Sequence, residues 1–287
     1  MVDTARHRFT DKAQHVLLHG IDTVTGTSDP IYSHHGKLHV LGYEAAIGIG
    51  EVAGHTLFRG FGRREALTTA AAGDDVWEGA AVSAPYPNQS VGEQIVFVST
   101  SASDTSAGAG AQQLEMHYLD AAGAPFVETI TLNGTTAVNS VATNVRFIQY
   151  VHVSRVGSFG AKAVGTITAY KVATPATVYD TIVPGACISL CSARMVPAGK
   201  HFYMNYISVT GASSKPLSLR VTATSDDYGV LTPGIFLFNE IFEIQDSTAT
   251  VNIAVPRVFP PFAIIKGIAI SNTAGGACSV SYGGWVE

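Results

Sequence analysis

The sequence predicts an all-β protein: two β-sandwich, jelly-roll-like domains preceded by an extended Gly/His-rich N-terminal arm. Three observations carry that expectation. Apolar and polar residues alternate over many five- to ten-residue stretches, the period of a half-buried strand. Clusters of Gly, Asn, Asp and Pro separate those stretches at intervals usual in sandwiches and barrels. Only 14% of the 287 residues are charged while 46% are hydrophobic, against roughly 25% charged in an average soluble domain. With a mean hydropathy of +0.23, such a chain suits the subunit of an assembly, much of whose surface lies against protein.

Residues 1–72 are expected to form the arm. Seven of the ten histidines fall there (His7, His15, His19, His34, His35, His39 and His55), among many glycines and without a sustained strand pattern. Asp11 to His19 could form a short amphipathic helix with Ala13, Val16 and Leu17 on one side, too short to stand alone. The Gly-punctuated apolar run YEAAIGIGEVAGHTLFRGFGRR, residues 43–64, suits a segment lying in a groove on a neighbouring subunit.

Residues 73–174 form the first expected sandwich, with strands at 94–99, 113–119, 126–132, 145–154 and 165–171. The clearest segment is LEMHYLDAAGAPFVETITLNGTTAV, residues 114–138. Leu114, Met116 and Tyr118 share one face, as do Phe126 and, one register step on, Ile130 and Leu132. Asp120 to Pro125 and Asn133-Gly134 supply the turns, because Asn and Gly accept positive φ. This hairpin is scaffold, with no candidate for chemistry. The loop SASDTSAGAGA, residues 101–111, is too small and flexible to pack and should be exposed or held by a partner.

A loss of periodicity in VATPATVYD places the domain boundary near Pro175. The second sandwich, residues 175–287, has expected strands at 186–192, 202–210, 218–224, 236–244, 250–256, 262–272 and 279–286. Pro197 to Lys200 reads as a tight turn. The three prolines of VPRVFPPF, residues 255–262, remove ladder donors and mark an edge or a crossover.

Net charge is −5, and no Lys/Arg run exceeds the pair Arg63-Arg64, so the concentrated basic surface of a nucleic-acid binder is missing. Apolar runs such as 262–270 are interrupted by Lys266 and Gly267 and do not span a membrane. The first residues lack the apolar core and cleavage site of a secretory signal, which points to a protein made and retained in a cytoplasm. Cys187, Cys191 and Cys278 cannot all pair, and their spacing is not that of a zinc or redox motif, so they are expected to be buried apolar residues.

Few residues invite chemistry. On a helix, His35 and His39 could share an ion with Glu44 nearby, but Gly36 and Asp29-Pro30 break the helix, so His34, His35 and His39 are expected to be solvated or interfacial and no metal site is assigned. Asp226-Asp227 reads as an exposed turn rather than a calcium loop, and Asp104 and Asp120 as turn formers. GIGEVAG, residues 48–54, lacks the strand, Lys and helix of a phosphate loop. No catalytic residue and no cofactor are expected. Trp77, Tyr86, Tyr282 and Trp285 could stack on sugars, although a closing strand such as SVSYGGWV usually aims its aromatics at a core.

The order FGRREAL, DDVWEG, DTSAGAGA, LDAAGAPFVETITLNGT, VRFIQYVHV and GTITAY over residues 54–170 resembles a group of virion structural proteins of tailed bacteriophages. MVPAGKHFYMNYISVTGAS and the FPPF segment are similar in layout to the second domain of such proteins. The resemblance implies a non-enzymatic homo-oligomer, a trimer by analogy, made in the host cytoplasm and located in the virion. It would be a capsid decoration or cement protein clamped by its arm to the major capsid protein or other virion proteins, with no nucleic-acid or membrane partner. Leu57, Phe58, Phe61 and Trp77 would anchor it while Arg59, Arg63 and Arg64 pair with acidic capsid surfaces. A neck or tail fibre or adaptor, and a glycan-binding receptor protein, are the alternatives.

Overall fold

The computed structural model describes residues 43–87, 91–158, 160, 162–212, 216–224 and 236–287, together with four short strands between residues 18 and 38. The chain divides into two units, 1–53 and 54–287. In the first, β1 (Leu18–Ile21) pairs with β2 (Ser28–Ile31) and β3 (Ser33–His34) with β4 (Lys37–Leu38), and a six-residue helix α1 (Tyr43–Gly48) follows. Most of the helix expected over residues 11–19 lies outside the described residues; so do His35, His39 and the side chains of His34 and Glu44.

The second unit is all-β, with every described strand pair antiparallel. Its middle portion, an N-lobe, begins with β7 (Ile95–Ser99), after β5 (Thr56–Arg64) and β6 (Asp74–Asp75) have passed into the other lobe. There follow β8 (Ala111–Asp120), β9 (Pro125–Thr131), β10 (Val138–Asn139), β11 (Val145–Val156), β12 (Ile167–Lys171) and β13 (Thr174–Ile182). They form two sheets, ordered β10-β7-β12-β13 and β11-β8-β9. Ile95, Phe97, Leu114, Met116, Ile148 and Ile182 share one core between them, each such side chain contributing about 1.5–3 kcal/mol by leaving water. The alternation read from the sequence is the alternation observed: Leu114, Met116 and Tyr118 are buried while Gln113, Glu115 and His117 are not. Phe126 departs from it, being 49% exposed at the strand end.

The loop at 101–111 exposes Ala102, Ser103, Ser106, Ala107 and Ala109, as expected, and is also anchored from within. Asp104 is completely buried, and its carboxylate accepts hydrogen bonds from the Ser99 hydroxyl and from the amides of Ala111, Val164 and Gly165. Four charge-assisted bonds offset the desolvation of that carboxylate, so a segment without bulky side chains is fixed by polar bonds instead.

The C-lobe takes β14 (Arg194–Met195), β15 (Phe202–Ala212), β16 (Leu217–Thr224), β17 (Phe236–Ile244), β18 (Ser247–Phe259), β19 (Ile264–Ser271) and β20 (Ala277–Val286). One sheet runs β14-β19-β16-β17 with β6 on β19, the other β18-β15-β20-β5. Phe202, Met204, Ile207, Leu219, Val280 and Tyr282 lie in the core they share.

Two expectations about the division of the chain are corrected here. Thr56–Arg64, placed in the arm, is a nine-residue strand paired along its whole length with β20, from Thr56 opposite Val286 to Arg64 opposite Cys278. Pro175, placed at a boundary, sits inside β13, which pairs with β12. The C-lobe is therefore discontinuous, built from residues 54–87 and 190–287 with the N-lobe inserted between them. Two glycines let β5 pack so closely. A Cβ on Gly62 would fall 2.2 Å from the Val76 carbonyl oxygen and 2.4 Å from the Ser192 amide, and one on Gly60 would enter the Tyr282 ring.

Residues 186–192, expected as a strand, make only an isolated bridge between Ile188 and His152. Their serines bond to the backbone instead: Ser189 Oγ accepts from Val151 and Ser192 Oγ from Gly267. Of the cysteines, Cys191 and Cys278 are buried and Cys187 is exposed, all free; burial pushes both buried thiols up to about 12. Asp226 and Asp227 lie outside the described residues.

Candidate functional site

The lobes meet over a third apolar cluster. Trp77, Cys191, Met195 and Ile264 from the C-lobe side pack on Leu119 and Phe147 of the N-lobe. Tyr86 stacks on Phe147 at 4.9 Å, and the Arg146 guanidinium lies 4.3 Å from the Phe262 ring centroid. Gln149 bridges the seam through both ends of its amide, donating to the Met195 carbonyl at 2.6 Å and accepting from the Met195 amide at 3.2 Å.

Beside this seam opens a groove of about 540 Å³. Leu57, Phe58 and Arg59 of β5 line one wall, and Tyr118, Phe126 and Val127 of the β8–β9 hairpin the other. The hairpin that carries the resemblance and the first half of the expected anchor set thus share one surface. The rest of that set is elsewhere. Phe61 is 43% exposed. Arg63 donates from Nε to Glu78 at 2.8 Å, and the Glu78 carboxyl is raised by its own burial although Arg63 opposes the rise. Arg64 is buried, 3.5 Å from Asp74, and donates to the carbonyls of Gly79 and Ala81. Trp77 is 1% exposed and its indole donates to the Ala81 carbonyl. Arg64 and Trp77 are therefore core residues, because β5 and the chain after it close the C-lobe.

The sugar-stacking set is divided in the same way. Trp77 and Tyr282 are buried, and Tyr282 donates to the Ser192 and Ile265 carbonyls. Trp285 is half-buried and stacked on Tyr203 at 5.4 Å, almost coplanar.

One constellation, which touches the groove through His117, escaped the sequence reading. The outer face of β8 carries Glu115 and His117, and the register sets His152 of β11 opposite Glu115. Glu115 Oε2 lies 3.5 Å from His152 Nε2 and 3.8 Å from His117 Nε2. The His117 ring stacks on Tyr150 at 4.2 Å and 15°, and Arg194 lies over Tyr150, 5.6 Å from its centroid. Burial, and then the neighbouring His152, hold the His117 imidazole below its ordinary pKa against the pull of Glu115. The hairpin described above as free of chemistry supplies two of these three groups. Period two places Glu115 and His117 on one face, which was legible; their meeting with His152 depends on strand pairing, which was not.

No family model matches the chain, and no curated protein matches it. Among solved structures, one of infectious bursal disease virus, Gx strain, is similar at 12% identity over 81% of this chain and 76% of that one, with a TM-score of 0.19. The VP2 subviral particle of the same virus is similar at 12% identity over 81% of this chain and 71% of that one, with a TM-score of 0.17. Likenesses at these TM-scores carry no argument about this chain. Among the described residues no helix is long and apolar enough to cross a membrane.

Proposed function

We propose that the chain is a non-enzymatic structural protein of a tailed-bacteriophage virion, a capsid decoration or cement protein that stabilises the outer shell as a homo-oligomer. On this reading both lobes are jelly-roll-like sandwiches, the symmetry is threefold as the resemblance implies, and the partners are further copies and the major capsid protein or other virion proteins. The observation that supports it is the edge strand β18. It runs for thirteen residues, Val251, Val255 and Val258 on it are 40%, 79% and 51% exposed, and β15 is the only described strand that pairs with it. A long apolar edge is a template for aggregation unless another chain covers it. The low charge of the chain points the same way.

The attachment surface is narrower than the sequence suggested. Leu57, Phe58 and Arg59 in the groove and Phe61 on β5 remain as anchors, with residues 1–53 as the arm. Light scattering on the purified chain should give an oligomer, and Val255→Lys with Val258→Lys should give a monomer that melts as a folded protein and fails to join particles. A wild-type monomer at micromolar concentration, or a double variant of wild-type size, overturns the reading. Copy number then locates the protein: hundreds per virion mean decoration, a dozen or fewer the neck or tail.

A further inference from the structure

We propose that Glu115, His117 and His152 form a binding site for a divalent transition-metal ion of the zinc class, fastening β8 to β11 at the groove wall. The inference rests on geometry and donor chemistry and is independent of the assembly role.

Each residue offers one donor atom, and the three atoms lie within 4.8 Å of one another. Two of the separations, 3.5 and 3.8 Å to Glu115 Oε2, approach the roughly 3.4 Å expected between ligands of a tetrahedral ion with bonds of ~2.1 Å. Small side-chain rotations close the remainder. Two imidazoles and one carboxylate are a donor set that selects zinc, cobalt, nickel or iron over magnesium or calcium, whose preferred ligands are oxygens.

The frame is rigid. Glu115 and His117 stand two residues apart on one strand and His152 is the cross-strand partner of Glu115, so no loop has to order when the ion arrives. Tyr150 braces the His117 ring by stacking. Arg194, which lies over the Tyr150 ring, is tied back to the carbonyls of Cys191 and Ala193.

The vacant valence is specific. His117 Nε2 is buried with no hydrogen-bond partner, although it points toward Glu115. A buried ring nitrogen without a partner is destabilising, and an ion would satisfy it. His152 Nδ1 is buried without a protein partner as well. The site therefore lacks the outer hydrogen bond that strengthens the tightest zinc centres, and its affinity falls below that of a zinc finger. Three protein ligands leave a fourth position for water.

Titration calorimetry of the full chain with ZnCl2 tests this, with Co2+ as a spectroscopic probe. Wild type should bind one equivalent at this site, raise its melting temperature by several degrees, and give visible Co2+ bands of a four- or five-coordinate ion. His117→Ala, His152→Ala and Glu115→Gln should each weaken binding by at least about 100-fold and erase the Co2+ bands. Their metal-free melting temperatures should stay close to wild type. Because the N-terminal histidines can also take up metal, a His34→Ala, His35→Ala, His39→Ala chain is the necessary comparison and should keep the Co2+ bands. Bands that survive in His152→Ala and Glu115→Gln, or that vanish in the His34, His35, His39 variant, overturn the proposal.

Discussion

The two lobes are made of the same kind of strand yet closed in opposite ways. The N-lobe is one continuous piece of chain, and its hairpins bring neighbours in sequence together: β8 with β9, and β12 with β13. The C-lobe borrows β5 from more than two hundred residues upstream to cover β20. The polar devices differ accordingly. The N-lobe is knotted by Asp104, which gathers amides from two segments, Ala111 and Val164-Gly165, and the Ser99 hydroxyl from a third. The C-lobe buries ion pairs: Lys266 with Asp75 at 2.7 Å joins the borrowed segment to the rest, and Arg64 with Asp74 at 3.5 Å lies within that segment. Local closure needs one well-placed carboxylate; remote closure needs matched charges from both pieces.

The largest effect should come from removing the borrowed piece. A chain lacking residues 1–64 loses β5, uncovers the β20 edge and should not fold its C-lobe, whereas a chain lacking only residues 1–53 should melt within a few degrees of wild type. Circular dichroism on the two truncations measures the difference, and equal melting would show that β5 is dispensable. Next comes the N-lobe knot. Asp104→Ala strands four donors and should cost about 3–5 kcal/mol in urea unfolding; a loss below about 1 kcal/mol would mean that the loop at 101–111 is held by something else.

The smallest effect concerns Asp180, at the N-lobe end of the seam. Burial pushes its carboxyl up to about 6, against hydrogen bonds from Ser189 and Thr181 and the charge of Arg194. Because the folded value exceeds the ordinary one, its contribution to stability is fully present below about pH 3.8 and lost as pH rises through about 6. Asp180→Asn should therefore be more stable than wild type near pH 7.5, by about 2 kcal/mol or less, and the advantage should disappear near pH 4. Paired urea titrations at the two pH values check the sign.

Strand existence was legible wherever the period-two pattern was intact. Phe236 to Ile244 was read to the residue, and β8, β9, β11 and β16 to within one or two residues at either end. The pattern failed at β5 for a physical reason: Gly60 and Gly62 stand where apolar side chains would mark the inner face, since backbone and the Tyr282 ring already fill that space. Charge misled as well. Arg64, Asp74 and Asp75 look like surface residues and are buried because Arg64 pairs with Asp74 and Lys266 with Asp75. The metal-type cluster was half visible, in that Glu115 and His117 share a face, while His152 joins them only through the register of β11.

The discontinuity of the C-lobe has a consequence in time. As the chain leaves the ribosome at ~5–20 residues per second, β5 waits roughly 10–40 s for β20 to appear, while the N-lobe between them can already fold. Until then Gly60 lacks the Tyr282 ring it lies on and β5 lacks its ladder partner. A chain interrupted before Val286 carries a complete N-lobe beside an unclosed partner, and with β15 also lacking its β20 neighbour it cannot present the β18 edge on a finished sheet. Synthesis of β20 is thereby built into the topology as a condition for a finished sheet behind the β18 edge.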